Sequence, residues 1–223
     1  MHAYFQPLQA AFSEHANPAF ALQMKQYMKN HFEFWGIKQA PRRTLFKAFL
    51  QEHGLPAWEM LTELIQELYV QPEREYHYCA IELMIKFKKK WTADELELIE
   101  WMLVNRSWWD SVDYISADVV GPFFQRFPTL MHNTCQAWVK SDNLWLRRTA
   151  IIFQRKYKSK TDQELLFQTI EACAHEKEFF IVKGIGWALR EHAKRFPEQV
   201  LEFVHAVPLQ PLSKREALKH LSK

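Results

Sequence analysis

The sequence contains little glycine and little cysteine, and each scarcity argues against a class of site. Only 5 glycines and 3 cysteines occur among 223 residues. No glycine-rich phosphate loop, no G-x-S-x-G motif and no H-E-x-x-H motif is present. Cys79, Cys135 and Cys173 stand apart, without a C-x-x-C pair or a histidine at ligand spacing. Structural zinc and disulfides are therefore not expected, and no cofactor is predicted.

Long apolar runs and a strong net charge are also missing. The sequence contains no run of 18 apolar residues that could span a bilayer, and the N-terminal segment lacks the pattern of a signal peptide. A cytoplasmic protein without membrane contact is therefore predicted. The formal charge of +3 is too small to indicate nucleic-acid binding by itself, so the placement of the charges has to decide.

Signals for helices dominate what remains. Alternating strand patterns are absent, whereas Pro18, Pro41, Pro56 and Pro197 stand where the first turn of a helix tolerates a missing donor. Three capping boxes are expected at Thr92–Glu95, Thr161–Glu164 and Ser213–Glu216. These signals predict helices that begin near residues 18, 41, 56, 73, 92, 107, 128, 142, 161, 178, 197 and 213.

Every second helix start recurs at a spacing of roughly 35 residues, the period of a solenoid of helix pairs. The sequence therefore predicts an all-α fold, a superhelical array of antiparallel helix pairs of the HEAT/ARM type, as one domain over 1–223. In such arrays one helix of each pair lines the concave surface. The alternate set carries Arg42, Arg43, Arg74, Arg147, Arg148, Lys183, Arg190, Lys194, Lys214 and Arg215.

The helices between them are acidic, so the charge is segregated by position in the repeat. A basic concave lining would bind a duplex by neutralising phosphates. The alternative is that these charges are solvated and pair with their neighbours, as most charge runs do.

The segment SWWDSVD, residues 107–113, contains two of the nine tryptophans. If Ser107 caps a helix, Trp109 and Asp113 share one face, while Trp108 and Val112 lie on a second face that suits the core. The pair of Trp109 and Asp113 is a candidate site for a cation, and the alternative is that both residues only pack.

A second segment, EFFIVKGIGWALREHAK, has the same character. Lys183, Trp187 and Arg190 follow helical spacing along one side. Gly184 and Gly186 suggest close approach to the backbone, either by a ligand or by a neighbouring helix. Because Arg147 and Arg148 begin the helix between these two segments, the three segments are expected to be neighbours.

These stretches resemble the DNA alkylation repair enzymes of the AlkD-like type. The similar segments are YMKNHFEFWGIK at 27–38, PRR at 41–43, SWWDSVD at 107–113, SDNLWLRRTAIIFQRKYK at 141–158, KEFFIVKGIGWALRE at 177–191 and PLSKREALKH at 211–220. They span almost the whole chain in order, and none of them is a common short motif.

The resemblance implies a monofunctional DNA glycosylase that releases cationic alkylated purines, such as 3-alkyladenine and 7-alkylguanine, from duplex DNA. It implies that Trp109, Asp113 and Trp187 act at the lesion's deoxyribose. The positions implied to contact DNA are Arg148, Arg43, Lys156, Arg190, Lys183 and Tyr27. A monomer is expected.

Two positions depart from the family pattern, because Lys38 and Val182 stand where polar, uncharged residues are expected. Two rival functions stay open. One is a paralogue that binds branched or distorted DNA without excision, and the other is a protein-binding solenoid.

Overall fold

The computed structural model describes residues 1–221, and these residues contain helices and loops but no β-strand. An isolated bridge joins Glu33 to Glu73. The prediction of an all-α fold is confirmed. Within the described residues, no helix has both the length and the apolar character needed to cross a bilayer.

The chain divides into two compact units, Met1–Lys90 and Trp91–Lys223. The organisation of 1–223 as one domain stays a prediction. The helices of the first unit are α1 (Gln6–Glu14), α2 (Pro18–Tyr27), α3 (Gln39–His53), α4 (Leu61–Val70) and α5 (Arg74–Lys86). Within it, α1 packs on α3 and α4 packs on α5.

Two of the predicted concave cations lie in the core of the first unit. The side chain of Arg42 is 2% exposed, and its Nη2 donates to Glu82 at 2.7 Å. Arg74 is fully buried, with its guanidinium 3.9 Å from the centre of the Phe32 ring. The assignment of Arg42 and Arg74 to a DNA-facing surface is therefore wrong, because both side chains are buried inside this unit.

The second unit contains nine helices within its described residues. They are α6 (Glu95–Val104), α7 (Trp109–Ile115), α8 (Gly121–Arg126), α9 (Pro128–Val139), α10 (Leu144–Ile152), α11 (Gln163–Cys173), α12 (Phe179–Ala193), α13 (Pro197–Ala206) and α14 (Pro211–Leu218). A π-helical turn, Ser116–Val120, joins α7 to α8, and a 3-10 turn, Phe153–Lys156, extends α10. The central helix is α12, which packs against α10, α13 and α14.

Most predicted helix starts lie within three residues of the observed ones. Pro18, Pro128 and Pro197 each occupy the first position of a helix. At α11 the cap is Asp162, whose carboxylate accepts from the N–H of Leu165 at 2.9 Å, rather than Thr161. Helix α1 was not predicted, although Pro7 stands in its first turn; Phe5 at its N-cap makes no side-chain capping bond.

Two serines that were predicted to cap helices do not do so. The hydroxyl of Ser107 donates back to the carbonyl of Leu103, and α7 begins after Trp108. Ser213 lies inside α14, fully buried, where its hydroxyl donates to the carbonyl of Val182 at 2.8 Å. In both cases a serine that resembled a cap instead bonds to a carbonyl, which serine does readily in and after helices.

The two glycines of α12 are explained by packing within the unit. A Cβ on Gly186 would lie 2.6 Å from the Cβ of Glu216 and 3.0 Å from the carbonyl oxygen of Ser213, both on α14. A Cβ on Gly184 would lie 3.1 Å from the Nη1 atom of Arg148. Close helix packing therefore accounts for both glycines, and a ligand at the backbone is not needed.

Candidate functional site

A pocket of about 360 Å³ lies in the second unit, between α7, α10, α12 and α14. Six of the nine predicted site residues line it, together with three that the sequence did not indicate. The predicted ones are Trp109, Asp113, Arg148, Lys183, Trp187 and Arg190, and the others are Phe179, Phe180 and Glu216. The expected convergence of the three segments is therefore observed.

Asp113 is held by Arg148 in a two-point ion pair. The Nε and Nη2 atoms of Arg148 donate to the two carboxylate oxygens of Asp113 at 2.8 and 2.9 Å. The side chains are 5% and 14% exposed, respectively. The remaining nitrogen, Nη1, donates to the carbonyl oxygen of Phe180. All three nitrogens of this guanidinium are thus used inside the protein, and the carboxylate has one fixed orientation at the pocket.

The two neighbouring tryptophans at the start of α7, Trp108 at the N-cap and Trp109 as the first helical residue, point in different directions, as predicted. Trp109 lines the pocket together with Asp113. Trp108 points the other way, with its ring 5.7 Å from that of Trp145 and 5.1 Å from that of Phe180. Trp108 therefore packs and Trp109 faces the pocket.

Trp187 lies on α12 and lines the same pocket. Its ring is covered by the guanidinium of Arg155, whose Cζ atom lies 3.7 Å from the ring centre. Arg155 does not line the pocket that contains Asp113. The sequence did not predict this contact. Arg155 lies in the 3-10 turn after α10, where the spacing of an α-helix does not indicate which way a side chain faces.

Glu216 on α14 is a second carboxylate at the pocket. It accepts from Lys183 at 3.0 Å and from Arg190. Its hydrogen bond with Lys183 is the main reason that its pKa is held below the usual value for a glutamate. The sequence predicted that Glu216 is part of a capping box and did not predict these ion pairs. An ion pair between two segments that are distant in the sequence leaves no local signal.

Phe179 extends the aromatic wall of the pocket to solvent. Its side chain is 57% exposed at the start of α12. The Phe179 ring is therefore accessible to a ligand that enters the pocket. Phe180, next to it, instead packs its ring against Trp108 and Trp145.

The other predicted DNA contacts lie outside this pocket. Lys156 donates to both oxygens of Asp118 at 2.7 Å. Arg43 and Tyr27 belong to the first unit, where Arg43 donates to Glu82 at 2.9 Å and Tyr27 is 69% exposed.

The two departures from the family pattern have local explanations. The ammonium of Lys38 lies 3.9 Å from the centre of the Phe20 ring, where a cation is favourable. Val182 is buried, and its carbonyl accepts from Ser213. Val182 therefore belongs to the packing of α12 on α14 rather than to an exposed surface.

Comparison with known proteins gives the family. Residues 8–221 match the family described as DNA alkylation repair enzyme. The chain belongs to this family. No curated protein matches it.

Solved structures of this type resemble the chain over most of its length. A predicted DNA alkylation repair enzyme from Enterococcus faecalis is 35% identical, with a TM-score of 0.87 over 93% of this chain and 97% of the other. AlkD2 from Streptococcus mutans is 18% identical, with a TM-score of 0.67 over 90% and 100% of the two chains. The protein smu.31 from Streptococcus mutans is also 18% identical, with a TM-score of 0.62 over 80% and 96%. The helical-repeat architecture predicted from the sequence is that of the DNA alkylation repair family.

Proposed function

We propose that this member of the DNA alkylation repair family is a monofunctional DNA glycosylase. It hydrolyses the N-glycosidic bond of cationic alkylated purines, such as 3-alkyladenine and 7-alkylguanine, in duplex DNA. The observation that carries the proposal is one carboxylate, Asp113, fixed at an open pocket whose walls include Trp109 and Trp187. The protein acts as a monomer in the cytoplasm and needs no cofactor.

The chemistry of such a lesion requires little from the enzyme except negative potential. An alkylated purine already carries positive charge, so it leaves without a proton donor, and the sugar passes through a state resembling an oxocarbenium ion. A carboxylate at the anomeric carbon stabilises that cation and orients the attacking water. Each tryptophan face adds roughly 0.5–2 kcal/mol when a cation lies on it.

The pocket suits a substrate that is not fully withdrawn from the duplex. It is open and shallow in its aromatic part, with Phe179 largely exposed. Excision then relies on the weakened bond of the lesion rather than on a deep pocket that reads the base. A lesion base can stay near its place in the stack while its deoxyribose contacts the carboxylate.

Arg148 acts in this proposal as a positioning residue. Its guanidinium is buried and is used completely by Asp113 and Phe180, so it orients the carboxylate instead of a phosphate. A preorganised carboxylate needs no reorganisation when the sugar becomes charged, which is the source of most electrostatic catalysis. The resemblance implies a phosphate contact for Arg148 instead, and the two roles differ in their effect on the salt dependence of duplex binding.

Duplex binding in this proposal uses cations at the edge of the pocket. Lys183 and Arg190 share Glu216, so two cations are balanced by one carboxylate and an excess positive charge is left for phosphate. Lys156 is more than half exposed despite its pair with Asp118. Such surface pairs are weak, typically about 0–1 kcal/mol, and can exchange a carboxylate for a phosphate.

The alternative is a protein that binds distorted DNA without excision. Loss of Asp113 or of one site tryptophan would favour it, and this chain keeps all three. The arrangement around Asp113 therefore favours excision over binding alone.

Release of free base from a duplex containing 7-methylguanine tests the proposal. Wild-type protein should release the base, and Asp113→Asn should do so slower by about two to three orders of magnitude. Asp110→Asn is the matched control, because it makes the same change one turn earlier in α7, and it should keep the wild-type rate. No base release by wild type, or wild-type release by Asp113→Asn, would refute the mechanism.

A further inference from the structure

A second and larger pocket lies behind the ring of Trp187. It measures about 530 Å³ and is formed by the end of α10, its 3-10 extension, α11 and the C-terminal half of α12. Arg155 belongs to this pocket and also covers the Trp187 ring at 3.7 Å. One side chain thus connects the second pocket to the candidate catalytic one.

The lining of this pocket is strongly basic. It contains five cations, Arg155, Lys156, Lys158, Lys194 and Arg195, against one carboxylate, Glu191. Glu191 is occupied by Lys194, whose ammonium lies 2.7 and 2.8 Å from its two oxygens. Lys156 is paired with Asp118, which is not part of the lining. Three of the cations form no ion pair with a residue among 1–221, namely Arg155, Lys158 and Arg195. Asp113, Glu191 and Asp118 act on Arg155 only from beyond ion-pair distance.

Arg155 is the unusual member of this set. Its side chain is partly buried, yet its guanidinium makes no hydrogen bond or ion pair with any described residue, and its Nη1 atom is covered and unsatisfied. Buried donors are satisfied in the great majority of cases, so the covered and unsatisfied Nη1 atom of Arg155 indicates a missing acceptor. Burial also lowers the pKa of Arg155, which an anion beside it would reverse.

We propose that this pocket binds a phosphate group, with Arg155 as the central ligand and Lys158 and Arg195 as its flanking charges. A guanidinium offers the two parallel N–H donors that phosphate accepts best. The group belongs either to the backbone of a duplex or to a free phosphate compound, and both present the same oxygens to the pocket.

Occupancy of this pocket would act on the catalytic candidate Trp187. A guanidinium on one side of the ring draws the π electrons toward itself and repels a second cation on the other side. A phosphate that neutralises the charge of Arg155 removes this repulsion, so the Trp187 ring interacts more favourably with a cationic sugar. The phosphate site would therefore strengthen the contribution of Trp187 once it is filled.

The first experiment measures thermal unfolding in inorganic phosphate and in chloride at equal ionic strength. At ten times the dissociation constant, phosphate should raise the wild-type midpoint on the order of 3–6 °C more than chloride. Arg155→Met and Arg195→Gln should lose most of this difference. Lys140→Gln, an exposed cation after α9 and outside the pocket, should keep it. Because Arg195 is exposed, Arg195→Gln should fold, and it can be measured even if Arg155→Met does not fold.

The second experiment identifies the source of the phosphate, using undamaged duplex DNA. If the pocket binds a backbone phosphate, Arg195→Gln should lower the slope of log affinity against log salt by about 0.9, and Lys140→Gln should not. An unchanged slope with loss of the phosphate effect assigns the pocket to a free phosphate compound. An equal phosphate effect in all four proteins, or none in wild type, overturns the proposal. Neither experiment involves excision, so failure of the glycosylase proposal would be seen separately.

Discussion

At the scale of single residues, the adjacent Trp108 and Trp109 at the start of α7 have different surroundings. Trp109 faces the pocket with Asp113, whereas Trp108 packs between Trp145 and Phe180. In the proposed reaction Trp109 acts on the cationic sugar, whereas Trp108 supports the fold around the site. The pair allows chemistry and packing to be separated by identical substitutions at neighbouring positions.

Trp109→Ala should slow excision by about 2- to 30-fold, the equivalent of one cation–π contact, with little loss of stability. Trp108→Ala should lower the free energy of unfolding by about 3 kcal/mol, because it leaves a cavity among aromatic rings. Single-turnover excision and urea unfolding of both variants measure the two effects. The reverse pattern, with Trp109→Ala the less stable protein, would assign Trp109 to the core.

Arg148 allows a distinction between positioning and phosphate binding. Arg148→Met leaves Asp113 without its cation, so the free energy of unfolding should fall by about 3 kcal/mol and excision should slow. Because the guanidinium is buried, the salt dependence of binding to undamaged duplex should stay that of wild type. A slope reduced by about 0.9 would instead show that Arg148 reaches a phosphate.

At the scale of elements, the position of α14 depends on Gly186. The backbone of α14 comes so close that a methyl group on Gly186 would overlap Glu216 and Ser213. Gly186→Ala should therefore lower the free energy of unfolding by about 1–3 kcal/mol, although alanine is the better helix former by about 1 kcal/mol. Gly184→Ala should cost less, since its nearest neighbour is a side-chain nitrogen at 3.1 Å. Urea unfolding of the two variants measures the difference, and greater stability of Gly186→Ala would contradict this packing.

The sequence predicted the helices well and their caps less well. Proline at the first turn is a local signal, and it located the starts of α2, α9 and α13 correctly. The pairing of Trp109 with Asp113 was also readable, because helical spacing alone puts them on one face. The caps assigned to Ser107 and Ser213 were wrong, since a serine hydroxyl can donate to a carbonyl as readily as it caps.

The ion pairs of the site could not have been predicted from the sequence. Arg148 and Asp113 are separated by 35 residues along the chain, and Lys183 and Glu216 are separated by 33 residues. The packing of α10 on α7 brings the first pair together, and the packing of α14 on α12 brings the second pair together. A basic residue can be recognised in a sequence, but whether it meets a carboxylate or a phosphate depends on the neighbouring helices.

At the scale of the whole molecule, charge placement rather than net charge decides what the surface can bind. The sequence predicted that a set of cations lines a DNA-binding surface. Many of them have carboxylate partners, such as Arg42 with Glu82 and Arg147 with Glu176. Cations buried in this way contribute to the fold. The cations that remain for a polyanion are the exposed ones, including Arg43 in the first unit and Lys156 in the second.

Duplex binding should draw on exposed cations from both units. Arg43 and Lys156 are 49% and 57% exposed, and each has a carboxylate partner that a phosphate can replace. Arg43→Gln and Lys156→Gln should each lower the slope of log affinity against log salt by at most about 0.9, and the double variant by up to about 1.8. Titrations of undamaged duplex between about 50 and 200 mM salt measure this, with Lys140→Gln as the exposed control that should leave the slope unchanged. A wild-type slope for Arg43→Gln would restrict the DNA-binding surface to the second unit, because a cation that releases no counterion neutralises no phosphate.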